Sequence, residues 1–143
     1  MTAVMGHAYV LQDIFASKVV DVARSYGEVF LAEMVEAQEA RAELRTVFDG
    51  EKMWSIEGHI LGAALSLIRR RRVDRLVFVS AFSCGPASII EGYIMQGAED
   101  HNVPFLSLCV DEHSGEAGLI TRLEAFMDST AKPRRLVSPP YVA

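Results

Sequence analysis

Apolar residues fall along this chain in two patterns, short unbroken blocks and longer stretches with helical spacing. The clearest block opens Leu76–Ser88, LVFVSAFSCGPAS, where an apolar run ends at Phe82 and Gly85-Pro86 begins a helix. Unbroken apolar strands belong to parallel sheets, because helices on both faces leave no polar side to alternate with. Pro86 suits the first helical position, where its missing N–H costs nothing and its φ is already helical. Three further blocks read as strands: Thr2–Met5, closed by Gly6-His7, then Glu28–Leu31, then Phe105–Val110 after the Val103-Pro104 break.

Between these blocks the spacing is helical. After a loop, Ala8–Gln12, and an Asp13 N-cap, residues Phe15, Val19, Val22, Ala23 and Tyr26 share one face, and Gly27 follows the helix end. Glu36–Val47 is charged and rich in helix formers, with Glu39 and Glu43 one turn apart. Its weak apolar face predicts a solvent-exposed helix or a partner-facing arm. A helix from Ser55, stapled by Trp54, carries Ile60, Leu61, Ala64, Leu67 and Ile68 and closes on Arg69–Arg72. Cations favour a helix C-terminus, so the four arginines need no phosphate to explain them. Pro86–Gln96 turns Ile89, Ile90, Tyr93 and Ile94 toward the sheet, and from Glu116 the residues Leu119, Ile120, Leu123, Phe126 and Met127 form a last stripe.

This alternation, with right-handed crossovers, predicts an α/β three-layer sandwich around a four-stranded parallel sheet in the order 2-1-3-4, flavodoxin-like or Rossmann-like. Residues 1–130 read as a single domain. Residues 131–143, with Pro133, Pro139 and Pro140, read as a tail, frayed or docked on a neighbour.

Composition narrows the function classes. A net charge of −5 without a basic stripe argues against nucleic acid as the main partner. Two cysteines without disulfide-framework spacing, no signal peptide and no long apolar span predict a reducing cytoplasm and no membrane. Cys109 lies within a strand and is expected in the core. Two thiols are too few for the four-thiolate set of a structural zinc or an iron–sulfur cluster in one chain. A G-x-G-x-x-G turn is missing after the first strand, and no Walker A sequence occurs.

Ligands of open parallel sheets bind beyond the carboxyl ends of the strands, where strand order reverses. In the order 2-1-3-4 that point lies between the first and third strands. It gathers His7, then Ser83, Cys84 and Gly85, and from the fourth strand Asp111, Glu112 and His113. Cys84 faces the free N–H groups of a helix start, which favour the reactive or metal-binding thiolate. The same residues have plainer readings: Cys84 as a small turn residue, His7 capping its turn, Asp111 or Ser114 capping the last helix. As chemistry, the set suits a Cys84 nucleophile with His7 or His113 as base, or a partial metal site at Cys84. It also suits an anionic ligand such as a CoA ester near Ser83, Gly85, Asp111 and Glu112.

The stretches Gly6-His7-Ala8-Tyr9, Phe82–Pro86, Asp111–Gly118 (DEHSGEAG) and Thr121–Phe126 resemble an uncharacterised domain. That domain occurs in proteins related to the activators of 2-hydroxyacyl-CoA dehydratases, the CoA enzyme activases. Trp54-Ser55 and Gly62–Leu65 also look similar to it, so the resemblance spans nearly the whole chain. Ala8 stands where the family tends to have proline, and Ala87 where it tends to have aspartate. The related dehydratase components bind an iron–sulfur cluster and receive electrons from an ATP-hydrolysing activator, and the cysteine matching Cys84 is a candidate ligand. The other cluster cysteines and the ATPase module have no counterpart in this chain. The resemblance therefore implies an accessory or partner-binding module, with any iron–sulfur cluster shared with another chain of the dehydratase or activator type. The charged arm and the tail allow a homo-oligomer.

Overall fold

A computed structural model describes residues 1–12, 17–48, 53–111 and 115–131. Four strands, β1 (Thr2–Gly6), β2 (Val29–Phe30), β3 (Arg75–Ala81) and β4 (Phe105–Val110), form one parallel sheet in the order β2-β1-β3-β4. The expected order and three-layer arrangement are what the chain adopts. The helices are α1 (Ala8–Leu11), α2 (Ser17–Ser25), α3 (Ala37–Leu44), α4 (Ser55–Arg69), α5 (Gly85–Asp100) and α6 (Glu116–Ser129), with a 3-10 turn at Ala32–Met34.

The pleat sorts the two cores. Ala3, Met5, Leu76 and Phe78 point to the face covered by α4 and α5, while Val4, Val77, Val79 and Leu108 point to the face covered by α2 and α6. The central pair runs in register from Thr2 opposite Arg75 to Gly6 opposite Val79. Gly6 has no room for a side chain: a Cβ there would lie 2.4 Å from the Val79 carbonyl oxygen.

The charged segment is a largely exposed helix, docked rather than free. α3 packs on α4 through Ala40 and Leu44, and Gly62 lets the backbones touch, since a Cβ at Gly62 would lie 2.0 Å from the Ala40 carbonyl oxygen. Glu39 accepts the buried Ser66 hydroxyl and pairs with Arg72 at 3.1 Å, and Glu43 pairs with Arg69 at 2.8 Å. Bonding to Ser66, then the charges of Arg72 and Arg70, holds the Glu39 carboxyl below the usual carboxylate range. Three of the four arginines thus clamp α3 while staying partly in solvent. α4 is buried on all sides from Ile60 to Ile68, between α3, the sheet and α5.

Other expectations change in detail. The loop after β1 contains α1, and Pro86 is the second helical residue of α5, after Gly85. Ile90 and Ile94 of α5 are buried, but Ile89 and Tyr93 are exposed. Tyr26 is also exposed, and its hydroxyl donates to Asp128 at 3.0 Å. Cys109 is exposed, because β4 is an edge strand whose outer side lacks a neighbour. Asp13, Phe15 and the tail from residue 132 lie outside the described residues.

The α3–α4 contact makes a differential prediction. Gly62→Ala should lower stability by about 1–3 kcal/mol, the cost of overpacking. Gly92→Ala, on the open face of α5, should gain up to about 1 kcal/mol from helix propensity. Urea unfolding of the two variants checks both signs.

Candidate functional site

The carboxyl edge of the sheet is framed by the N-terminal ends of α4 and α5. β1 ends at Gly6, and His7 follows in extended conformation as the N-cap of α1. Its carbonyl accepts from the N–H groups of Val10 and Leu11 at 2.9 and 3.0 Å, so the backbone closes the turn and leaves the ring free of capping. The ring is 6% exposed and places Nε2 3.0 Å from the Glu57 carboxylate in the first turn of α4. An ionised carboxylate only accepts, so Nε2 is the donor in this contact.

β3 runs two residues past the level of Gly6 and then turns sharply. The Cys84 N–H donates to the Ala81 carbonyl at 3.2 Å, with Ser83 at the tip in the left-handed region, φ 62°. That conformation is costly for a residue with a side chain and tends to persist where the surroundings enforce it. Cys84 is then the N-cap of α5, half-buried against the α4–α5 core, with no side-chain cap bond of its own. Ser88 closes the first turn instead, donating both its N–H and its hydroxyl to the Cys84 carbonyl at 3.0 Å.

Tyr9 joins the two loops. Its ring lies 5.4 Å from the His7 ring, and its hydroxyl is close enough to the Cys84 side chain for that thiol to bear on its titration. Although Tyr9 is 64% exposed as a residue, desolvation around the hydroxyl, then the charge and hydrogen bond of Cys84, then Glu57, push its pKa above the usual 10.0. Tyr9 therefore stays protonated as a donor through the neutral range. The arrangement is a chain of neighbours, Glu57 to His7 to Tyr9 to Cys84, running from a part-buried carboxylate to a half-buried sulfur.

Of the residues picked from sequence, the structure places His7, Ser83, Cys84 and Gly85 at this edge. It adds Asp111, one residue beyond the Ala81–Val110 pairing and beside the turn in which Phe82 N–H donates to the Val110 carbonyl at 2.8 Å. Glu112 and His113 lie outside the described residues. Sequence reasoning missed Glu57 and Tyr9. Glu57 passes as an ordinary acidic residue in a helix first turn, and only the strand order brings it opposite His7.

Comparison of this chain with protein-family models, curated proteins and solved structures finds no match.

Among the described residues, no three His, Cys, Asp or Glu side chains are grouped to hold a metal, and no helix is long and apolar enough to cross a membrane. Cys84 is the only thiol in the contact chain, with Cys109 on the edge strand. These residues do not fit an iron–sulfur cluster held by this chain alone.

The Tyr9–Cys84 contact is measurable. In Cys84→Ala the Tyr9 phenol should titrate at a lower pH than in the parent protein, yet above 10, because desolvation remains. NMR of ring-labelled tyrosine checks this, with Tyr9→Phe assigning the signal. An unchanged midpoint speaks against the contact.

Proposed function

We propose that this chain is an accessory, partner-binding module that acts through Cys84. The reading is carried by the position of Cys84, N-cap of α5 beside Tyr9, at the point where strand order reverses. Large apolar side chains stand exposed around that turn: Phe82 at 68%, with Tyr9 and Ile89. A thiol offered from an apolar rim suits a protein surface better than a small polar substrate. In its finer form the partner belongs to a system of the CoA enzyme activase and 2-hydroxyacyl-CoA dehydratase type. Cys84 is then one thiolate ligand of an iron–sulfur cluster whose remaining ligands come from that other chain. The motif resemblance at Phe82–Pro86 and Asp111–Gly118 motivates this form.

A second reading has its own observation. The part-buried His7–Glu57 pair is the orienting contact that a histidine base needs, and Cys84 is then the nucleophile of a small cysteine-dependent enzyme.

Anaerobic incubation with ferrous iron and sulfide, alone and with a dehydratase- or activator-type protein, tests the cluster form. After desalting, iron and sulfide should be retained with the partner present and be lost in Cys84→Ala. Retention that survives Cys84→Ala, or none with the partner, contradicts it.

A further inference from the structure

A second feature lies on the opposite side of the first turn of α4. While Glu57 points to His7, Ser55, Gly58 and His59 line a cleft of about 400 Å³ between α3 and α4. That volume falls in the range of small-molecule pockets. Arg41 and Arg45 form one wall, Trp54 another, and Leu44 and Met53 part of the lining.

Three choices of residue here run against local stability. Arg41 and Arg45 are like charges one helical turn apart, an unfavourable spacing. Among the described residues no carboxylate pairs with either, although Glu39 and Glu43 of the same helix are committed to Arg69, Arg70 and Arg72. Trp54 occupies the N-cap of α4, where a short polar side chain is preferred, and it makes no side-chain cap while standing 55% exposed. Departures from local consistency tend to gather at functional sites. Here they share one cleft, in a chain of net charge −5. Two guanidinium forks match phosphate oxygens, and a flat indole face matches a ring.

We infer that this cleft binds a small phosphate ester carrying a flat ring, its phosphate on Arg41 and Arg45 and its ring on Trp54. The inference is independent of Cys84, whose turn lies at the other side of the α4 start. In the Arg69–Arg72 run, the more obvious phosphate candidate in the sequence, Arg69, Arg70 and Arg72 are already paired with Glu39 and Glu43 of α3.

Trp54 is the only tryptophan of the chain and reports on its own site. Adenosine 5′-monophosphate and phenyl phosphate should each quench its fluorescence saturably, and inorganic phosphate should compete with both. Arg41→Ala combined with Arg45→Ala should weaken binding tenfold or more, with circular dichroism unchanged. Arg24→Ala, an exposed arginine of α2, should leave binding as it was. Quenching that does not saturate up to millimolar ester overturns the inference, and so does equal affinity in the double variant.

Discussion

The pairing of β1 with β3 is the contact on which the rest depends. Five residues lie in parallel register, closed at the carboxyl end by Gly6 against the Val79 carbonyl, where any side chain would force the strands apart. Parallel neighbours separated by some seventy residues of chain need a long crossover, and α2, β2, α3 and α4 make it. The same pairing puts two otherwise distant loops side by side, Gly6–Tyr9 and Phe82–Gly85. α4, which begins at that edge, then delivers Glu57 between them. The site is thus a consequence of strand order rather than of any local motif.

Charge in this protein is divided by role. α4 ends in four consecutive arginines, and three of them are consumed in holding α3 through Glu39 and Glu43. Gly62 makes this possible by allowing the helices to meet backbone to backbone, within reach of short ion pairs. The result is a helix, α4, buried nearly all round, with its polar needs met at its ends and by the Ser66–Glu39 bond. The arginines facing away from this clamp are the ones left to meet a ligand.

Much of the sheet was legible in the sequence, because a strand buried on both faces has no choice but to be apolar throughout. Leu76–Phe82 announced β3, and Phe105–Val110 and Glu116 marked β4 and the start of α6. α3 is the largely exposed helix its weak apolar face predicts, but its docking on α4 was not legible: Ala40 and Leu44 look weak until Gly62 is seen to accept them. Cys109 was expected in the core for its apolar neighbours, yet the order 2-1-3-4 makes β4 an edge. Ile89 and Tyr93 fit a helical stripe but sit just beside the buried line of Ile90 and Ile94. At the site, Cys84 and His7 stood out by residue type and position. Glu57 and Tyr9 did not, since an acidic first turn and a loop tyrosine are ordinary, and only three-dimensional contact gives them a role.

The central claim is that Cys84, at the N-terminus of α5 and beside Tyr9, is the reactive cysteine of the chain. Cys109 provides an internal standard, being the other cysteine and exposed on the edge strand. Limited iodoacetamide labelling at neutral pH, with the two sites resolved by peptide mass spectrometry, compares them in one sample. The account predicts that half-buried Cys84 is modified several-fold faster than exposed Cys109 and that Tyr9→Phe removes the advantage. Faster labelling of Cys109, or an advantage of Cys84 that survives Tyr9→Phe, contradicts it.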